Sequence, residues 1–401
     1  MEAKDKVGVA RALRRQGFVP VHIEAKEAAS RKADGGEKEA IKQITNLNIR
    51  GIFDALRGVA LVDKMMFSKH LSVMMSAGVP VTRALEVLSR QTTNVRFRSA
   101  ILQVAEDVRR GKQFADSLAR FPGIFDTLYV SLARSGDVAG NLPEVLALLA
   151  EHQKKEHELK SRVKGALMYP LVIVIAMGGV GALMMTFVVP KLAAIFEELN
   201  VPLPLLTQLI IGVSKAIRNY WIFFIILLPA FVFLFKKLMA ATYGRSFLSW
   251  LFLHAPILRP ITQKVNSALF ARTLSSLIEG GVPILDGLLI TRDTLGNLYY
   301  RQSAEKIYEE VKGGGSLFEA LQRFEGIFPG LVVQMVRVGE ETGSLGDMLK
   351  RIAEFYEEEV NSTTRNLSSI IEPILMIVIG AVVGVFAISM IQPMYSVMNQ
   401  L

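Results

Sequence analysis

The chain repeats itself. Phe67–Pro190 aligns without a gap on Phe270–Pro393, and about a quarter of the aligned positions are identical, several times what ordinary residue usage gives. The identities fall in blocks. Gly78-Val79-Pro80 meets Gly281-Val282-Pro283, and Gly123-Ile124-Phe125 meets Gly326-Ile327-Phe328. Arg134-x-Gly136-x-x-x-Gly140-x-Leu142 meets Arg337-x-Gly339-x-x-x-Gly343-x-Leu345. Pro170, Gly181 and Pro190 meet Pro373, Gly384 and Pro393. Whatever one half folds into, the other must fold into as well.

Each copy ends in a stretch without charge. Gly165 to Pro190 is uncharged over 26 residues, and from Pro373 no charge follows to Leu401. A helix needs about 20 apolar residues to cross the hydrocarbon of a bilayer, so both qualify as spans. Between the copies, Asn219–Phe235 is 17 residues long and intensely apolar. It becomes a third span if Ile217 is added and Arg218 reaches out to the interface. Two other apolar runs do not qualify. Leu199–Ser214 is interrupted by Pro202 and Pro204, and Ser246–Leu258 by His254 and Pro256. With 21% charged residues the chain is not membrane throughout, so soluble domains must alternate with the spans.

Lysine and arginine give the orientation. Lys154, Lys155, Lys160, Arg162 and Lys164 precede the first span, Lys236, Lys237, Arg245 and Arg259 follow the second, and Lys350, Arg351 and Arg365 precede the third. The opposite side has Lys191, Lys215 and Arg218. By the positive-inside bias the N-terminus and the long loop are cytoplasmic and the C-terminus is outside. The start, MEAKDKVGVARALRRQ, has no apolar core of the signal-peptide kind.

The soluble parts read as helices, with no period-2 strand pattern. Asp63 is placed to cap a helix carrying Phe67, Leu71 and Met74. Further helices are expected from Thr82 to Gln91, Phe97 to Arg110, Phe114 to Arg120 and Phe125 to Ser135. Asn141-x-x-Glu144 and Ser344-x-x-Asp347 look like capping boxes. From each, one helix should run without a break into the membrane. From Leu142 to Val189 that helix would be ~70 Å long.

The fold expected is all-α, a polytopic membrane protein with two tandem cytoplasmic helical-bundle domains and three transmembrane helices. Its parts are an N-terminal arm and linker (1–60), a first cytoplasmic domain (61–164), a span (165–190), a short periplasmic loop (191–216), a second span (217–235), a cytoplasmic connector (236–263), a second cytoplasmic domain (264–372), a third span (373–392) and a periplasmic tail (393–401). In the arm, Val7–Gln16 reads as a short basic amphipathic helix and Ala25–Ile41 as a linker. The domains differ in charge, +6 over 64–164 and −5 over 264–372, so they are suited to pair within a chain or between chains.

Catalytic signatures are lacking. The chain has no cysteine, which removes thiol nucleophiles, disulfides and Cys-ligated metal. Gly313-Gly314-Gly315-Ser316 lacks the Gly-Lys-Ser/Thr ending of a phosphate-binding loop. His152 and Glu156 share a helix face, but the pattern is not His-Glu-x-x-His, and a charged stalk entering a membrane explains it. No metal, cofactor or catalytic residue is therefore assigned. The net charge of +9 collects beside the spans and in the N-terminal arm, where anionic lipid rather than nucleic acid accounts for it. Gly380-x-x-x-Gly384 permits close helix packing and self-association. Glu372, beside Pro373, is a charge at the membrane boundary.

Two tandem helical domains carrying F-x-x-x-L…G-V-P and R-x-G-x-x-x-G-x-L, each followed by a span with the same prolines, resemble the type II secretion F family, the GspF/PilC group of inner-membrane platform proteins. The resemblance covers about Val62 to Val397. The block Arg337-Val-Gly-Glu-Glu-Thr-Gly-Ser-Leu345 and the pair Glu372-Pro373 match the family pattern closely, whereas the first copy has Asp137 for Glu340 and Tyr169 for Glu372. The resemblance implies a non-enzymatic platform in the bacterial inner membrane, serving a type IV pilus or type II secretion machine. It would couple a cytoplasmic assembly ATPase to insertion or extraction of pilin or pseudopilin subunits, beside other inner-membrane assembly proteins and as a homo-oligomer. On that reading Arg134, Asp137, Arg337 and Glu340 either contact the ATPase or brace the loop they sit in. Family members usually begin with a longer N-terminal region, and LRRQGFVPVHI looks like the end of it.

Overall fold

The computed structural model describes residues 58–198, 204–220, 242–255 and 258–398, with scattered positions between 223 and 239. The arm, including the helix expected at Val7–Gln16, and most of the second expected span lie outside these residues. Helices and no strand are found among the described residues.

The first domain comprises α1 (Leu61–Ser76), α2 (Val81–Gln91), α3 (Val95–Arg109), α4 (Phe114–Ala119) and α5 (Thr127–Ala139). Helix α6 (Leu142–Leu183) leaves it and passes through a π-helical turn, Met184–Val188, into α7 (Val189–Glu198). Then come α8 (Leu205–Asn219) and α9 (Thr242–His254). The second domain has α10 (Arg259–Glu279), α11 (Ile284–Thr294), α12 (Leu298–Lys312), α13 (Leu317–Gln322) and α14 (Gly330–Thr342), followed by α15 (Leu345–Met398). Helices α2 to α5 and α11 to α14 begin and end at residues that the repeat aligns. The left-handed glycines pair in the same way: Gly78 with Gly281 (φ 82° and 79°), Gly111 with Gly314 (85° and 92°), and Gly140 with Gly343 (73° and 68°).

Aligned aromatics build the two cores. In the first domain Phe67 lies edge-on to Phe97, their centroids 5.3 Å apart, and Phe125 lies tilted against Tyr129 at 4.9 Å. The aligned Phe270, Tyr300 and Phe328 repeat the cluster at 5.0 and 5.1 Å. Burying each ring contributes roughly 1.5–3 kcal/mol. The phenol groups are satisfied locally. Tyr129 pairs with Ser68 Oγ at 2.9 Å, and Tyr300 donates to the Ile327 carbonyl at 2.5 Å.

The cores are not closed off from each other. Leu277 and Ile290 of the second domain are buried in the first domain's core, and Leu159 of α6 is buried in the second's. The corner before α11 fits against α5, where Ser135 Oγ donates to the Gly280 carbonyl at 2.5 Å. A Cβ at Gly280 would stand 2.3 Å from Leu132 Cδ2. The first copy has Ala77 here, so the two copies use non-equivalent faces.

Several expectations need correction. Asp63 is not a cap: α1 starts two residues earlier, with Ala60 in the N-cap position and Asp63 in the first turn. Asn141 makes no side-chain capping bond, because φ −112°, ψ 37° is not the extended backbone from which an asparagine reaches N2 or N3. Ser344 Oγ pairs instead with Thr342 Oγ1 at 2.6 Å. The loop assigned to 191–216 carries α7 and α8, and α8 starts at Leu205 with Pro204 at its N-cap, where the two prolines allow a helix to begin. The connector 236–263 contains α9 and the first turn of α10.

Nor do the prolines end the long helices. Pro170 lies inside α6, and Pro373 and Pro393 inside α15. Before Pro190 the chain widens into the π turn, because proline has no N–H for the Thr186 carbonyl and its ring crowds it. The Met185 carbonyl within that turn takes a hydrogen bond from the Ser214 hydroxyl of α8. Thr207 Oγ1 donates to the Ser389 carbonyl of α15 at 2.6 Å, so α8 ties the two long helices together at their far ends.

Both of those helices are long and apolar enough to cross a membrane, over Leu142–Phe196 and Ile371–Pro393. Ile175, Val180 and Phe187 on the first and Met376, Ile377 and Val383 on the second are exposed, as lipid-facing side chains are. At Gly181, Gly380 and Gly384 an added Cβ would meet nothing within 4 Å. Among the described residues no close helix packing uses these glycines.

Candidate functional site

The motif R-x-G-x-x-x-G-x-L is the corner where each bundle meets its long helix. Gly136 and Gly339 face the helix that follows. A Cβ at Gly136 would lie 3.1 Å from Val145 Cβ and 3.2 Å from Leu142 Cα, and one at Gly339 would lie 2.9 Å from Leu345 Cα. Only glycine lets the two helices approach so closely. Their carbonyls then close the corner, accepting the Asn141 N–H at 3.1 Å and the Ser344 N–H at 2.9 Å. This six-residue closure needs a left-handed residue, which Gly140 and Gly343 provide. Leu142 and Leu345 start the outgoing helices. Gly78-Val79-Pro80 and Gly281-Val282-Pro283 make the earlier corner, with Pro80 and Pro283 as N-caps of α2 and α11.

From this corner an acidic side chain reaches back to the short helix. Glu340 Oε1 accepts the Leu317 N–H at 2.7 Å, and Oε2 accepts the Phe318 N–H at 2.8 Å. These are first-turn amides of α13, which have no partner inside their own helix. The negative charge also lies at the positive end of the helix dipole. In the first domain the shorter Asp137 accepts the Ala115 N–H of α4 at 2.8 Å. Burial raises the Asp137 pKa, the Ala115 amide opposes the rise, and Asp116 adds to it.

The arginines are on the outer surface. Arg134 pairs with Asp116 at 2.8 Å, both about half exposed. Arg337 pairs with Glu341 at 2.8 Å and lies over the Phe318 ring, 5.2 Å from its centroid. The structure therefore brings the arginine, the acid and the short helix together at each corner. Glu372 is away from both corners, exposed on α15 beside Pro373.

Sequence reasoning missed a second arrangement, in the seam between the domains. Arg272 of α10 and Glu357 of α15 form a nearly buried pair at 2.8 Å, with side-chain exposures of 10% and 12%. Lys155 of α6 approaches the same carboxylate at 3.8 Å, and Arg162 donates to the Glu357 carbonyl at 3.4 Å. One terminal nitrogen of Arg272 has no hydrogen-bond partner among the described residues. Nearby, His152 is buried with Nδ1 3.2 Å from Ser276 Oγ, and burial holds its pKa below the ordinary imidazole value. It packs against the second domain instead of joining Glu156 in a metal site. Among the described residues no three His, Asp or Glu side chains come together as metal ligands. The only sequence hint of this seam was the opposite charge of the two domains, which surfaces in the Lys155–Glu357 approach.

The chain matches the family model of type II secretion system protein F twice, over residues 67–190 and 270–393. It is similar to the type IV pilus assembly protein PilC of Myxococcus xanthus, 34% identical over 396 residues, 99% of this chain and 90% of the relative. The protein of that name from Thermus thermophilus is 34% identical over 401 residues, 100% of this chain and 95% of the relative. The type II secretion system protein F of Aeromonas hydrophila is 30% identical over 392 residues, 98% and 97% of the two chains. On two family matches that coincide with its two structural repeats, and on relatives aligned over nearly their whole length, the chain belongs to the type II secretion system protein F family.

Proposed function

We propose that this chain is the inner-membrane platform of a type IV pilus or type II secretion machine, coupling a cytoplasmic assembly ATPase to the insertion and extraction of pilin or pseudopilin subunits. The observation that carries the reading is mechanical. Helices α6 (42 residues, about 63 Å) and α15 (54 residues, about 80 Å) run unbroken from a glycine-tightened corner of a bundle into an apolar stretch. A displacement imposed on either bundle is thereby carried into the bilayer, and such coupling requires no catalytic group in this chain. At the corners, the bracing role for Asp137 and Glu340 is favoured over a direct ATPase contact, because both Glu340 oxygens already hold backbone amides. Arg134 and Arg337, half exposed beside them, remain accessible to a partner.

The proposed topology has three spans, with both bundles cytoplasmic and the C-terminus periplasmic. Oligomerisation would use faces such as Gly380-x-x-x-Gly384, which nothing among the described residues covers. Cross-linking in intact cells, followed by mild-detergent recovery of the tagged full chain, tests the function. Co-recovery of a secretion-type ATPase and pilin-like subunits is expected, and recovery of neither refutes the proposal. The absence of native cysteine makes topology testable by single substitutions. An impermeant thiol reagent should label Ser396→Cys and spare Ser316→Cys, and the reverse pattern refutes the orientation.

A further inference from the structure

A cavity of about 700 Å³ lies where the first long helix enters its apolar stretch, a volume within the range of small-molecule sites. Its apolar walls are Leu159, Val163 and Leu167 of α6, Leu248 and Phe252 of α9, and Val265 of α10, and Asn297 and Thr364 add polar groups from the α11–α12 connection and from α15. Three charged side chains line it: Glu156, Lys160 and Lys164. Glu156 is paired with Lys160 along α6, whereas Lys164 makes no ion pair among the described residues. Lys164 is also the last charge before the uncharged stretch that begins at Gly165. On the orientation proposed above, the cavity lies at the level of a bilayer headgroup, and Lys164 lines it with no ion pair among the described residues.

The helix that roofs it has the character of an interfacial helix. Phe247, Trp250 and Leu251 of α9 are exposed while Ser249 and Leu253 are buried, and the Trp250 ring stacks on His254 at 4.8 Å. An aromatic outer face of this kind settles at the membrane–water boundary. The roof is pinned from beneath, since Ser249 Oγ accepts the Leu298 N–H at 3.1 Å. The cavity is thus a formed space between α6, at the start of its apolar stretch, and the pinned helix α9, with Leu167 of that stretch in its wall.

We propose that this cavity seats an acyl chain of one anionic phospholipid of the cytoplasmic leaflet, with the lipid phosphate held by Lys164. The apolar walls fit the chain, and the free lysine fits the phosphate. This inference uses the membrane orientation proposed above and nothing of the ATPase coupling, so the two fail separately.

The test is native mass spectrometry of the full chain, released from detergent in the presence of phosphatidylglycerol or phosphatidylcholine. Retention of one phosphatidylglycerol is expected, favoured over phosphatidylcholine by about fivefold, the effect of one lysine at a membrane surface. Lys164→Gln should abolish the preference, and Val163→Trp, which fills the cavity, should abolish retention. A photo-reactive benzoylphenylalanine in place of Phe252 gives an independent reading in cells and should form a lipid adduct. No retained lipid, equal retention of the two lipids, or unchanged retention in a folded Val163→Trp variant would overturn the proposal. An adduct to residues 1–57 of the chain or to another protein, in place of lipid, would overturn it as well.

Discussion

Replacing Glu340 with alanine takes the acceptor from two amides at once. In the wild-type chain those amides, of Leu317 and Phe318, are held at 2.7 and 2.8 Å. A hydrogen bond to a charged group contributes roughly 1.5–3 kcal/mol. The two bonds share one carboxylate, and water recovers part of the loss at a half-buried site, so the total comes to about 2–3 kcal/mol. That energy acts first on α13, six residues long and unable to hold itself together alone. Its amides should exchange with deuterium about a hundredfold faster than in wild type, since each 1.4 kcal/mol is a factor of ten. Glu340→Gln should fall between, because the amide keeps one acceptor but turns an N–H toward the second donor. Asp137→Ala, which loses the single Ala115 bond, should cost about 1–1.5 kcal/mol. Hydrogen-exchange mass spectrometry of the full chain over 313–325, run beside pilus or secretion output, makes the decision. Unchanged exchange with lost output would refute bracing and assign the carboxylate to a partner.

The corner glycines should rank by clearance. Gly339→Ala places a Cβ 2.9 Å from backbone and should cost about 1–3 kcal/mol, more than Gly136→Ala at 3.1 Å from a side chain, as read from thermal unfolding in detergent. Glu357→Ala strands the nearly buried Arg272 and should cost about 3–5 kcal/mol. The double variant with Arg272→Met should recover much of that loss, and a double variant no better than the single one would deny the pair its role in the seam. His152 has a folded-state pKa below 6.5, so the unfolded chain binds the proton more readily. Stability is then full above about pH 6.5 and is lost as pH falls from there through the folded pKa. His152→Gln should flatten this acid limb in pH-dependent melting curves.

Much of the architecture was legible because duplication lets one half check the other. Positions constrained by backbone, such as Gly140 with Gly343 and Pro80 with Pro283, survive divergence, and they marked the corners before any contact was known. Local rules failed where tertiary packing supplies what they look for. Asn141 and Ser344 look like caps, yet the corner is closed by the carbonyls of Gly136 and Gly339, and the acids that do cap, Asp137 and Glu340, serve the short helices α4 and α13 that come before them in the chain. Pro190 reads as a helix end, but a π turn and the Ser214 hydroxyl accommodate it. The pair Arg272–Glu357 has no signature at all. It joins residues 85 positions apart, and in the sequence Glu357 is one of several acids on a charged helix.

The shared core has a consequence for how the chain is made. Leu149 is the last residue of α6 that the first domain's core takes, and that core is finished only by Leu277 and Ile290. Synthesis at 5–20 residues per second puts roughly 6–28 s between them. During that interval the first apolar helix must enter the bilayer while its own bundle still lacks part of its interior. On the proposed topology the first bundle is therefore completed after membrane insertion has begun, by residues that follow the first membrane segments in the sequence.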